Sequence, residues 1–500
     1  MIDPTKLKVC ALSNQASPDT SFREEVAESL QRAPWLFVSV LTHLCAVLIF
    51  LLMPTTKTLK QPVQVAMVAP EEDVVFEEFT PPEEIPTDED IECDFDLTTK
   101  AIHEVESNQD SLLDTPSEVV ATLTSTAWSK PLGLGGGGGG LSGGGLRKRG
   151  KTPHKTEITI ARGLSWLAAH QDEDGKWDAD SFMKHDTNGT PCDGAGNPVH
   201  DVGVTGLALL AFLGDGNTLR QGQYRNNVKQ AVWWLRSQQQ DNGLFGTSAT
   251  NDFIYDHAIA ALAMVEAFGL SNSKIIKKNA QAGIHYLEAH RNPYGVWRYQ
   301  PRSSDADSSI TGWAVMAYKS ASEFGIDVNQ QALNHTLTWF DQATDTSGRC
   351  GYSEKGGLSS RLAGDHATRF PPSKGEAMTA VSLMSRFMIG QDPDEEPRMV
   401  AAADLVLASP PIWDEKTGTI DHYYWYYATY ALYQIGGRHW RQWSKALTPA
   451  VVKSQRTDGS FAGSWDPAGV WGEDGGRVYS TATLVLTLEA YYRISRVFVR

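Results

Sequence analysis

The sequence predicts an all-α fold: an α/α toroid of six helical hairpins (twelve helices), preceded by a single transmembrane helix and a disordered acidic and Gly-rich linker. Three observations carry this. A short phrase of Gln, Gly and an aromatic residue recurs through residues 155–500. Between its copies lie helical stretches that are apolar on most sides, as burial requires. Ahead of them, one 19-residue run carries no formal charge. The 500 residues are 41% apolar and 21% charged, an ordinary globular mixture in which 15 Trp is high. The 44 basic and 60 acidic side chains leave a net charge of −16. A nucleic-acid binder would carry a basic face, so no nucleic-acid partner is expected. Cys10, Cys45, Cys93, Cys192 and Cys350 are scattered and form no CxxC pair. That excludes a disulfide scaffold, a zinc ribbon and a thioredoxin-like motif.

The anchor is Trp35 to Met53, WLFVSVLTHLCAVLIFLLM, bracketed by Pro34 and Pro54. At ~1.5 Å per residue it spans about 28 Å, close to a bilayer's hydrocarbon core. Residues 1–34 are too long for a signal-peptide n-region and no small-x-small site follows, so the span reads as uncleaved. Lys6, Lys8, Arg23 and Arg32 precede it, against Lys57 and Lys60 after it. The positive-inside bias puts residues 1–34 in the cytoplasm and everything after Met53 outside the cytoplasmic membrane. Ser39 and His43, at i and i+4, share one face of the span, and an intramembrane His is a functional candidate by default.

Residues 54–154 form the stalk. Glu71 to Asp96 holds 13 acidic residues and no Lys or Arg, too little apolar surface to fold. Gly135–Gly140 and Gly143–Gly145 lack a following Gly-Lys-Ser/Thr and read as a hinge, not a phosphate loop. The pattern Ser39-x-x-x-His43, followed by Gln61-Pro62-Val63-Gln64-Val65-Ala66 and the acidic, Pro-punctuated arm, resembles the membrane anchor of TonB. That resemblance implies a bacterial inner membrane, a periplasmic C-terminal domain, and docking of the His face on an ExbB/ExbD-type channel.

The repeat begins near Lys155. Gln171-Asp-Glu-Asp-Gly175-Lys-Trp177 recurs as Gln239…Gly243-Leu-Phe245 and as Gln455…Gly459-Ser-Phe461, with weaker copies at Gly295-Val-Trp297 and Gly348-Arg-Cys350. The glycine spacings are 68, 52, 53 and 111, so one decayed copy is expected near Ser409–Trp413 and the units number six. In each unit a more polar outer helix ends at the phrase (158–170, 227–238). A small-residue-rich inner helix follows it: 204–213, 258–268, 310–321, 377–388, 423–435 and 480–492. An open solenoid would need polar capping repeats, and none is visible, which favours a closed ring.

The phrase is similar to the QW motif of the squalene cyclase and protein prenyltransferase superfamily (the prenyltransferase and squalene oxidase repeat), over about residues 155–500. The resemblance implies a cavity ringed by inner-helix N-termini. There the candidate catalytic groups are Asp256, His257, Asp305, Asp307 and Glu376. The candidate ligand-binding groups are Trp313, Tyr424, Trp425, Tyr426, Arg477 and Tyr479. Four readings follow.

In a terpenoid cyclase an acid protonates an alkene and aromatic faces steady the cation. The superfamily's Asp-x-Asp-Asp is here Asp305-Ala-Asp307-Ser308, so Asp307 keeps the acid position and its partner is a Ser. Asp307 reads more readily as the cap of the helix starting near Ile310, and the aromatic run His422-Tyr-Tyr-Trp-Tyr-Tyr427 either lines an apolar chamber or is packing. A zinc prenyltransferase is disfavoured: there is no Asp-x-Cys, and Tyr479-Ser480-Thr481 lacks the late His. Glycan processing would use converging carboxylates such as Asp256, Asp307 and Glu376. The fourth reading is a binding module for an apolar or isoprenoid-like molecule, with enzymatic activity left open, or else for a glycan or a protein. No cofactor is expected. His185, Cys192 and His200 flank a Gly-rich insertion at loop spacing but lack a fourth ligand, and no metal is assigned. Asp256–His257 reads equally as a general base or as a helix cap with a packed imidazole. Lys355–Lys374 reads as a surface loop or a lid.

Overall fold

In the computed structural model the chain divides into residues 1–101 and 102–500. The described residues are 155–493, apart from 188 and 363, together with Thr42 and His43, which are helical and exposed. Ser39, the rest of the anchor and the linker lie outside the described residues.

The described part of the second unit holds thirteen α-helices and no strand. We number them α1 (Lys155–Ala169), α2 (Asp201–Gly214), α3 (Arg225–Ser237), α4 (Phe253–Ser271), α5 (Lys274–His290), α6 (Ser308–Glu323) and α7 (Gln330–Ala343). A short α8 (Asp365–Arg369), which the sequence pattern did not foretell, precedes α9 (Ala377–Ile389), α10 (Pro397–Leu407), α11 (His422–Ile435), α12 (Gly437–Val452) and α13 (Gly472–Arg493). Helix α13 is kinked at Gly476, with φ 70° and ψ −169°.

The inner helices α2, α4, α6, α9, α11 and α13 pack successively, and α13 returns to α2. The outer helices α1, α3, α5, α7, α10 and α12 lie against them, and α12 meets α1. The fold is therefore the closed α/α toroid expected. Among the described residues α4 alone is long and apolar enough to cross a membrane, but 94% of its apolar window is buried within the ring.

The repeated phrase builds the joints. Gln171 Nε2 donates to Gly175 O (2.8 Å) and to Asn227 O on the next outer helix (3.0 Å). Gln239 does the same with Gly243 O and Asn279 O. Gln455 binds Gly463 O and Thr159 O, which joins the last hairpin to the first. Gly175 and Gly243 have φ of 104° and 93°, where L side chains are strained. A Cβ there would also stand 2.2 Å from a carbonyl of the next outer helix.

The aromatic plugs the gap. The indole N–H groups of Trp177, Trp297 and Trp465 donate to carbonyls near the end of their own outer helix, at 2.7–2.8 Å. The plug's backbone N–H is received by the following inner helix: Thr205 for Trp177, His257 for Phe245, Thr311 for Trp297, Thr379 for Cys350 and Thr481 for Trp465.

Two details correct the sequence reading. The final copy runs from Gln455 to Gly463 and Trp465, because four extra residues shift the turn. Phe461 is only half-buried, beneath the Arg456 and Arg477 guanidiniums. In the decayed fifth copy Trp413 stacks on His422, and Tyr424 Oη supplies the donor to Val406 O (2.7 Å) that an indole supplies elsewhere.

Candidate functional site

Every outer-to-inner connection lies on one face of the ring, so the inner-helix N-termini surround a common mouth. The plug contacts fix the register. Two residues before each plug-holding position, or before Trp425 in the fifth hairpin, stand Gly203, Tyr255, Ser309, Ala377, Tyr423 and Tyr479. Tyr299 and Tyr352, each two residues past a plug, join them. Tyr299 Oη and Tyr352 Oη share a hydrogen bond of 2.8 Å. Tyr423 Oη reaches Ser309 Oγ (2.7 Å), from the fifth hairpin to the third. Tyr255 lies close enough to feel Asp307, Tyr352, Tyr299 and Tyr423, and Tyr479 close enough to feel Tyr423. Five phenols from five hairpins thus line the mouth.

Beneath them Trp313 of α6 stacks on Tyr426 of α11, with ring centroids 5.8 Å apart and planes 16° apart. Tyr427 and Tyr430 continue that aromatic face. Helix α9 stands between α6 and α11 in the ring order, so these aromatics meet across the interior.

Asp307 is fully buried and caps α6: Oδ1 accepts from Ser309 N (2.7 Å) and Ile310 N (2.9 Å). Oδ2 accepts from Arg298 Nη1 (3.1 Å), whose guanidinium lies over the Tyr299 and Tyr352 rings. Burial pushes the carboxyl up to about 6, against the pull of Tyr352, the helix N–H groups and Arg298.

The other sequence candidates are placed as follows. Asp305 is exposed, and its backbone carbonyl receives Asn292. Asp256 is buried with His200, whose Nδ1 is 3.1 Å from both carboxylate oxygens. A Cβ on Gly203 would stand 2.1 Å from that carboxylate, so glycine leaves room for it. Burial raises the Asp256 pKa, and His200 opposes it.

His257 Nδ1 accepts from Phe245 N and Nε2 donates to Gly283 O (3.1 Å), so neither nitrogen remains for catalysis. Burial lowers its pKa to about 3, and it serves as the second hairpin's joint. Glu376 is held bidentately by Arg349 and by Thr379 Oγ1. Arg477 is fully buried, and its donors go to Asp193, Ser464 and Asp466.

Tyr424 turns toward the outer layer, edge-on to Trp443, and Trp425 packs with Trp413 and His422. Tyr426, Trp313 and Tyr479 are the ligand-binding candidates that the ring brings to its interior. His185, Cys192 and His200 are not gathered: His185 binds Asp172, and His200 binds Asp256.

Sequence reasoning missed Tyr255, Tyr299, Tyr352 and Arg298, and took Tyr423 only as part of the aromatic run 422–427. The signal for Tyr255 and Tyr423 was their position two residues before the plug-holding His257 and before Trp425. Residues 355–362 and 364–374 lie on the mouth face, tied by Arg361 to Asp421 (3.2 Å), by His366 to Val470 O (2.8 Å) and by Arg369 to Glu473.

No protein-family model matches the chain, and no curated protein does. Solved structures with a similar course include a type II terpene cyclase from Scytonema, at 15% identity and TM-score 0.44, covering 68% of this chain and 98% of that one. A family 76 glycoside hydrolase (mannosidase) from Bacteroides thetaiotaomicron follows at 13% and 0.45, covering 68% and 98%. An unsaturated glucuronyl hydrolase specific for heparin has 12% and 0.47, covering 67% and 96%.

Proposed function

We propose that the toroid is a binding module for an apolar or isoprenoid-like molecule, held at the phenol-lined mouth above Trp313 and Tyr426. The observation that carries this reading is the convergence of aromatic side chains across the interior, while the charged groups are closed off in pairs. Aromatic faces give an unsaturated hydrocarbon large contact area, and the phenol hydroxyls and Arg298 meet a polar end. Hydrolysis by two converging carboxylates finds little support, because Asp256 and Glu376 are each engaged by a partner of their own, His200 and Arg349.

A cyclase is the second reading, and the raised pKa of Asp307 favours it. A carboxyl at about 6 holds its proton in part near neutrality, as a general acid needs. Against it, both Asp307 oxygens already accept hydrogen bonds, and Ser308 stands where a supporting acid would.

We further propose that residues 35–53 hold the toroid on the outer side of the cytoplasmic membrane, with Ser39 and His43 facing an ExbB/ExbD-type partner. Support comes from the apolar run and its flanking charges. A reagent that labels extracytoplasmic cysteines in intact cells should modify a cysteine placed in the stalk and spare Cys10. The reverse pattern overturns the orientation.

The test of function is organic extraction and mass spectrometry of the full chain, before and after incubation with membrane lipids. One equivalent of an apolar lipid, lost in Trp313→Ala, supports the binding module. Conversion to a new product, abolished by Asp307→Asn, replaces it with the cyclase. An empty cavity without turnover sinks both.

A further inference from the structure

Residues 178–187 and 189–200, between the Trp177 plug and α2, belong to an insertion at the seam where the last hairpin meets the first. One side of it is stitched to α13: Asn197 N donates to Asp474 O, Arg477 N to Gly194 O, and Arg477 Nε to Asp193 O. The other side reaches the C-terminal end of α1 through His170, Asp186 and Cys192.

His170 Nδ1 lies 2.7 Å from the carbonyl of Trp166. A carbonyl only accepts, so Nδ1 carries a proton. Nε2 faces Asp186 Oδ1 at 2.9 Å, and Cys192 Sγ lies 3.5 Å from the same oxygen. Asp186 Oδ2 accepts from Cys192 N, which fixes the carboxylate's orientation. The three ligand atoms all lie within 4.8 Å of one another. His170 and Cys192 are each 4% exposed, and the Asp186 side chain 2%. Trp166 stacks on His170 at 4.0 Å and Phe182 stands edge-on, which walls the cluster with apolar surface.

Two acceptors at that distance need a cation between them, either a proton or a metal ion. An imidazole locked by a backbone carbonyl and a carboxylate locked by a backbone N–H are the outer contacts that orient metal ligands. The mixed nitrogen, sulfur and oxygen set suits zinc and its near relatives, not the all-oxygen preference of calcium or magnesium. We propose that His170, Asp186 and Cys192 form a mononuclear transition-metal site of the zinc class, which clips the insertion to α1 and tightens the seam of the ring. Water completes the coordination. Binding releases the thiol proton and the proton held between His170 and Asp186, and the carboxylate and thiolate balance a divalent ion.

The test uses the full chain in detergent, stripped with chelator and titrated anaerobically with Co²⁺. One equivalent should bind, with a near-ultraviolet thiolate-to-cobalt charge-transfer band and the visible intensity of a four-coordinate ion. Zn²⁺ should abolish the band, and the thermal midpoint should rise with loading. Cys192→Ser should lose the band, Cys350→Ser should keep it, and Asp186→Asn should weaken binding by about tenfold or more. Absence of the band from protein with unchanged far-ultraviolet circular dichroism overturns the site. So does a band that survives in Cys192→Ser. The cluster would then be a His–Asp ion pair beside a core thiol.

Discussion

Asp307 and Asp421 occupy the same register of two inner helices, and the ring uses them differently. Both cap their helix, both are buried, and both meet an arginine. Arg361 comes to Asp421 from the long segment that crosses the mouth, and both side chains are 3% exposed. Arg298 comes to Asp307 from the adjacent plug loop and remains 21% exposed, with phenols around it. One pair ties down a strap, and the other forms part of the mouth lining. A scaffold position fixed by the repeat is thus free to acquire a role from its partner, so the identity of the acid alone does not define that role.

The largest expected effect separates the two. Asp421→Ala leaves Arg361 buried without its partner and should cost about 3–5 kcal/mol in denaturant unfolding. It should also expose residues 355–374 to limited proteolysis. Asp307→Ala frees an arginine that already reaches water, so the loss is chiefly that of a helix cap, about 1–2 kcal/mol. Equal losses at the two sites would break the distinction.

The pH dependence sharpens it. Asp307 sits at about 6 in the ring, above its unfolded value of 3.8, so the folded state takes up the proton first. Its contribution is fully present below the unfolded value and is lost as pH rises through about 6. Between pH 7 and pH 4 the wild type should therefore gain roughly 2–3 kcal/mol relative to Asp307→Asn. Parallel stability curves for the two proteins would exclude the shift. The smallest effect is expected at the rim. Tyr423→Phe loses the hydrogen bond to Ser309 and should cost ~0.5–1.5 kcal/mol, while loosening ligand retention. Unchanged retention would remove Tyr423 from the site.

The framework was legible in the sequence because its physics is local and repeated. Gln, Gly and an aromatic at fixed spacing make one joint, and copies of the joint imply neighbours that complete each other. The exception, Phe461 taken for Trp465, arose where four inserted residues broke that spacing. The mouth was harder to read. Along His422–Ile435 every residue but the last is buried, so periodicity cannot tell the axis-facing side from the side facing the outer helices. That is why Tyr424 and Trp425 were expected inside while Tyr423 was not singled out from the run. Asp256, His257 and Glu376 were identified correctly as polar groups at inner-helix starts. Their partners His200, Phe245 and Arg349 come from other segments, and only the folded ring shows that those groups are already engaged.

Because Gln455 ties the last outer helix to the first, the ring has no terminal repeat to fray. In an open array of helix pairs, folding can begin anywhere and spread, and the ends loosen first. Here the first and last hairpins each lack a neighbour until a contact 296 residues apart in sequence is made. Closing so long a loop costs little more free energy than closing a shorter one, but it slows folding. A circular permutant with residues 493 and 155 joined, and new ends opened within 355–374, keeps every neighbour and moves the last-formed contact to the opposite arc. If closure limits the rate, refolding of that permutant should change while its equilibrium stability, apart from the severed strap, does not.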